Sequence, residues 1–106
     1  MGILDLFNRF DINSGVKESN NTPSAVILDV RTRQEYAQGH IPGSKNIPLQ
    51  ELEQVQNVLR DKSIPIYTYC HSGARSRQAE SLLKSLGFVN VKNIGGISSY
   101  RGEVER

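Results

Sequence analysis

The sequence predicts an α/β fold, a small and mainly parallel sheet with helices on both faces in a doubly wound arrangement. Three observations carry that prediction. Ala25-Val26-Ile27-Leu28-Asp29-Val30 is a short continuous apolar run, the pattern of a strand covered on both sides. Ile66-Tyr67-Thr68-Tyr69 supplies a second such strand. Segments of helical spacing alternate with these runs, which implies right-handed crossovers and parallel pairing.

Each element has its own signal. Asp11 is placed to cap a short helix through Val16, and residues 19–24, with Asn20-Asn21-Thr22-Pro23, read as a turn. After the first strand, Thr32 and Glu35 form a T-x-x-E capping box that starts a short helix ending near Gly39. His40-Ile41-Pro42-Gly43 is a turn into a brief strand near Asn46-Ile47. Leu52, Val55, Val58 and Leu59 recur at helical spacing and predict an amphipathic helix over residues 50–60. Ile64-Pro65 leads into the strand that ends at Cys70. Ala79, Leu82, Leu83 and Leu86 mark one face of a further helix, closed by Gly87. Residues 88–94 predict the last strand, and Gly95-Gly96 opens the C-terminal segment.

At 106 residues the chain has the length of one domain. Residues 1–24 are expected to pack as an N-terminal segment on the same domain as residues 25–106. Net charge is +2 with both signs interspersed, which argues against a nucleic-acid partner. No apolar run reaches the length of a membrane span. Residues 1–10 hold Asp5 inside an apolar stretch and no small-residue cleavage site, so they do not read as a secretory signal. Leu6 stands where a myristoylation motif starting at Gly2 needs Ser or Thr. One cysteine forbids an internal disulfide and a zinc site of paired cysteines, and points to a reducing cytoplasm. With His40 and His71 the only histidines, no metal is expected.

That cysteine is the reactive centre the sequence predicts. Cys70 falls at the carboxyl end of a buried strand, where parallel sheets bind ligands. The loop Cys70-His71-Ser72-Gly73-Ala74-Arg75-Ser76 then enters a helix near Ala74. Unpaired N–H groups at a helix start carry the positive end of the macrodipole, and a loop curled about one point makes an anion cradle of them. Gly73 permits the required backbone, and Arg75 adds a permanent cation. All of this favours a thiolate, so Cys70 is expected to have a pKa below that of a free thiol. A lone cysteine is more often a buried small hydrophobe; Gly at the third position after it and Arg at the fifth set this one apart.

The same loop resembles the C-x-x-G-x-R-S active-site loop of single-domain rhodaneses. Leu28-Asp29-Val30-Arg31 with Glu35-Tyr36, and the run from Gly39 through Leu49, resemble that family's upstream signature. Gly95-Gly96-Ile97 with Tyr100 and Gly102 resembles its closing segment, with Tyr100 where Trp is usual. The resemblance implies sulfur transfer without a cofactor. Cys70 would take sulfane sulfur from a small anion such as thiosulfate, or from a persulfidated thiol or protein, and pass it to cyanide, a thiol or a protein. It also implies that residues 71–76 bind the substrate and that Asp29 and Arg31 support the loop.

Three rivals share parts of this pattern. Cysteine-dependent phosphatases use a C-x5-R loop, one residue longer, sized for phosphate. Related arsenate reductases generally use further thiols, and this chain has no second cysteine. Non-catalytic rhodanese-like modules have lost the cysteine, which is retained here. Of the remaining residues, Asp29 and Arg31 have an alternative reading as an ordinary surface ion pair. Glu35 is explained by the capping box, and His40 by a structural hydrogen bond. Arg77 broadens the positive field or is simply solvated, and Tyr67, Tyr69 and Tyr100 are core or pocket wall.

Overall fold

The computed structural model describes residues 11–106; the readings of residues 1–10 lie outside the described part. Asp11 caps the first helix through its carboxylate, which accepts from Asn13 N at 3.0 Å. This helix, α1, runs Ile12–Asn20 and so continues past Val16 into the expected turn. Val16 and Ser19 are both buried on its inner face, and the Ser19 hydroxyl is satisfied by Val16 O at 2.7 Å. Burial of a continuing apolar face thus overrides the turn-like composition at its end.

Strand β1 covers Val26–Asp29. The Thr32 capping box is complete, with Glu35 N on Thr32 Oγ1 and Thr32 N on Glu35 Oε1, both at 3.1 Å. It starts α2, Arg33–Gln38, which stops at Gly39 as expected. Strand β2 is Lys45–Asn46. The helix expected over residues 50–60 is instead a 3-10 segment, Leu49–Gln54, followed by one α-turn, α3, Val55–Val58. Glu51, at φ −112° and ψ 15°, breaks the regular geometry. Leu52, Val55 and Leu59 are buried, whereas Val58 is 56% exposed. Apolar residues three apart meet the core from 3-10 turns as well as from α-turns, so their spacing set the buried face and not the helix type.

Strand β3, Ile66–Cys70, is buried throughout. Helix α4, Ala74–Ser85, ends in a Schellman motif: Gly87 N reaches Lys84 O at 3.0 Å and Phe88 N reaches Leu83 O at 3.1 Å. That cap consumes Phe88, so β4 begins later than predicted and covers Val91–Gly96. Gly95 and Gly96 therefore belong to the strand and do not open the tail.

The four strands are all parallel, in the order β2-β1-β3-β4. Alternate residues feed two cores, as the period of a strand requires. Leu28, Ile66 and Cys70 join Leu52, Val55, Leu83 and Phe88 on one face. Ile27, Tyr67, Tyr69 and Ile94 join Ile12, Val16 and Ile41 on the other. Burying a side chain such as Leu83 or Ile94 completely contributes about 1.5–3 kcal/mol. Helix α1 lies close on the second face: a Cβ at Gly15 would come within 2.5 Å of Ile94. Among the described residues no helix is long and apolar enough to cross a membrane.

Candidate active site

The strand pair β3–β4 slips register where it matters. Thr68 faces Asn93 and Cys70 faces Gly96, two steps along β3 against three along β4. The surplus residue is Gly95, in the left-handed region at φ 102°. The loop after Cys70 then folds back over this strand end. A Cβ on Gly96 would lie 2.2 Å from His71 O and 2.6 Å from Ser72 Cα, so side-chain-free backbone is needed there. Ser98 N donates to His71 O at 3.1 Å and pins the loop from the other side.

Within that loop the Cys70 sulfur faces backbone donors. Gly73 N donates to Sγ at 3.0 Å, and Gly73 itself sits at φ 106°, a conformation few other residues adopt. Cys70 is 1% exposed. Burial pushes its thiol up, but hydrogen bonds from the Ser76 hydroxyl and from the amides of Ser76, Gly73 and Ser72 outweigh it, and the pKa falls below its ordinary value. The hydroxyl has one proton, and Asn93 Oδ1 competes for it at 2.7 Å. The amides are therefore the dependable donors.

Asn93, which no local signal in the sequence marks, organises the underside of this loop. Its Oδ1 also accepts from Gly95 N at 3.0 Å, and its own N–H donates to Glu80 Oε2 at 3.1 Å. A cleft of about 310 Å³ opens here, between Ser72 and Gly73 of the loop and Gly95 and Gly96 of β4, with Arg77 and Asn93 on its walls.

Arg75 points its fork at a carboxylate. Its Nη1 and Nη2 donate to Glu35 Oε1 and Oε2 at 2.7 and 3.0 Å, with the two side chains 35% and 31% exposed. Glu35 thus does more than close its capping box; it ties the start of α2 to the Cys70 loop across 40 positions of sequence. The Arg75 guanidinium, against some cost of burial and helped by Thr32, holds the Glu35 carboxyl down at about 2.

Asp29 and Arg31 are not a surface pair. They are 0% and 5% exposed, with Arg31 Nη2 on Asp29 Oδ2 at 2.7 Å and on Gly39 O at 2.8 Å. Asp29 also takes the Arg31 amide at 2.8 Å. Among the described residues no hydrogen bond joins either side chain to Cys70 or its loop; Asp29 acts on Arg75 by charge alone. His40 is structural as expected, with Nδ1 2.9 Å from Tyr36 O and its ring stacked on Tyr36 at 3.6 Å. His71 and Ser72 are exposed in the loop, Ala74 is exposed at the start of α4, and Ser76 is buried in its first turn. Tyr69 is core, its hydroxyl accepting from Ile41 N at 3.1 Å. Tyr67 is nearly buried and donates to Glu18 Oε2 at 2.8 Å. Among the described residues no cluster of His, Cys, Asp and Glu could hold a metal ion.

A family model for the rhodanese-like domain matches residues 13–103. The chain belongs to the rhodanese-like domain family. It is 38% identical over 71 residues to thiosulfate sulfurtransferase PspE of Escherichia coli, covering 66% of this chain and 68% of that one. It is 34% identical over 95 residues to the thiosulfate:glutathione sulfurtransferase of Homo sapiens, covering 77% and 81%. Among solved structures, a rhodanese-like domain protein from Staphylococcus aureus superposes with a TM-score of 0.78 at 28% identity, covering 91% of this chain and 94% of that one. The parallel sheet with helices on both faces is thus a rhodanese fold, and the resemblance seen in the three sequence motifs is family membership.

Proposed function

We propose that this rhodanese-like domain is a sulfurtransferase working through a Cys70 persulfide. The observation that carries the reading is the Cys70 sulfur itself, at a strand end, facing a loop amide at 3.0 Å, with a lowered pKa despite its burial. A thiolate so held attacks the outer sulfur of thiosulfate. The S–S bond of the donor breaks, its electron pair leaves with sulfite, and the sulfane sulfur stays on Cys70 as a persulfide. An acceptor nucleophile then attacks that outer sulfur and returns the pair to Cys70. Two half-reactions sharing one enzyme form give ping-pong kinetics.

Residues 71–76 supply the surroundings of both steps. The amides of Ser72, Gly73 and Ser76 bear on the sulfur's charge. His71 and Ala74 line the mouth, and Arg75, steadied by Glu35, faces the anionic donor or leaving group. Asp29 and Arg31 serve the loop indirectly, by fixing the end of β1 beside it. No metal or organic cofactor takes part. The acceptor is a small thiol, cyanide or a protein thiol, and a single free cysteine fits a reducing cytoplasm.

Mass spectrometry after thiosulfate treatment tests this. The protein should gain one sulfur atom, the Cys70→Ser variant none, and cyanide should remove it. Absence of the gain with thiosulfate and with a persulfide donor would make the domain a binding module instead.

A further inference from the structure

Asn93 has a donor that the loop does not use. The residue is 7% exposed, and its side-chain oxygen is fixed by Gly95 N, which can only donate. The Nδ2 group therefore points away from that network and has no partner among the described residues. No fully buried side-chain nitrogen among them lacks a partner, so this –NH2 is not sealed from solvent, and Asn93 lines the cleft. Arg77 borders the same cleft, exposed, and among the described residues no carboxylate pairs with it. No acidic residue forms its walls; Glu80 is spent on the Asn93 amide and on Lys84. An –NH2 group and a guanidinium only donate, so the complement of this cleft is an anionic oxygen.

We infer that the cleft binds the carboxylate of a small thiol acceptor, with Arg77 and Asn93 as its specificity-determining contacts. The inference rests on the sulfur-transfer reading. Thiosulfate carries its charged oxygens two bonds from the sulfur it gives up, so in this reading the loop amides and Arg75 meet its charge. A separate anion site beside the loop suits a molecule whose charge lies several bonds from its sulfur. The walls at Ser72 and Gly73 belong to the same loop that curls about Cys70, so the cleft adjoins the segment whose Gly73 amide faces the sulfur. The acceptor thiolate forms a bond to the outer persulfide sulfur and the Cys70 Sγ–S bond breaks. Its electron pair returns to Cys70, and the acceptor leaves as a persulfide.

Two measurements separate the cleft from the chemistry. S-methylglutathione, which carries carboxylates and no free thiol, is titrated into the ¹⁵N-labelled protein. Shifts should concentrate at Ser72, Gly73, Asn93 and Gly95, and Arg77→Gln should weaken binding about tenfold with Arg77→Lys between. Shifts elsewhere, or equal affinity in all three proteins, would overturn the inference. Persulfide-loaded protein is then mixed with 3-mercaptopropionate or 2-mercaptoethanol in single-turnover experiments. The rate ratio favouring the carboxylate thiol should fall about tenfold in Arg77→Gln; an unchanged ratio contradicts it. If the wild type never loads with sulfur, the sulfur-transfer reading fails, while the titration still decides the cleft.

Discussion

Two arginine–carboxylate pairs stand at the carboxyl end of this sheet, and their surroundings differ sharply. Arg31 and Asp29 are sealed in, with side chains 6% and 0% exposed. Arg75 and Glu35 are also bidentate, end-on through Nη1 and Nη2 where Arg31 meets Asp29 side-on through Nε and Nη2, yet each is about a third exposed. A buried pair cannot release its cation without stranding a charge in low dielectric. A half-solvated pair can let go, because water takes the place of the partner. The sealed pair is thus built as scaffold, and the wet pair keeps near the Cys70 sulfur the guanidinium that the proposed transfer would share with an anion.

The largest effect expected from breaking this contrast is at Asp29. Asp29→Ala leaves Arg31 buried with Gly39 O as its remaining side-chain acceptor, and should cost about 3–5 kcal/mol in chemical denaturation. A loss below 1 kcal/mol would mean the pair is not sealed. At Glu35 the balance should reverse, with activity suffering more than stability. Glu35→Gln keeps an acceptor for the cap and for Arg75, whereas Glu35→Ala keeps neither. The expected order in kcat/KM for thiosulfate is wild type, Gln, then Ala, with Ala down about tenfold.

Glu35 also predicts an acid limb. Its folded carboxyl lies at about 2 against an ordinary 4.5, so the unfolded chain takes up the proton first. The stability it contributes is complete above pH 4.5 and is lost as pH falls towards 2. Denaturation across that window should show a weaker pH dependence in Glu35→Gln than in wild type. The smallest effect belongs to Arg33 and Glu51, a third forked pair that lies at the surface. Arg33→Ala should leave both the denaturation midpoint and sulfur transfer unchanged, and a clear shift in either would break the rule that exposure decides a pair's role.

What the sequence revealed follows from how local each signal is. The apolar runs of β1 and β3, the Thr32 capping box and the Cys70 loop are written in consecutive residues, and all can be read directly. Glu35 was legible as a cap and not as the partner of Arg75, because nothing within a helical turn records a contact 40 positions away. Asn93 gave no sign at all, since its role arises when β4 lands beneath the loop. Gly95-Gly96 did carry a signal of close backbone approach, read as a tail boundary when it marks the place where the loop lies on the strand. The sequence alone places Phe88 at the start of β4, although its amide completes the cap of α4.

The contact of Gly15 on Ile94 has a corollary for how such a module travels between genes. A fusion junction set at Ala25, just ahead of the first strand, would strip Ile12 and Val16 from Ile27, Tyr67 and Ile94 and wet part of one side of the sheet. Shuffled in that form, the piece would stick to its neighbours before it met any sulfur donor. The portable cassette begins no later than Asp11, whose carboxylate closes the first turn.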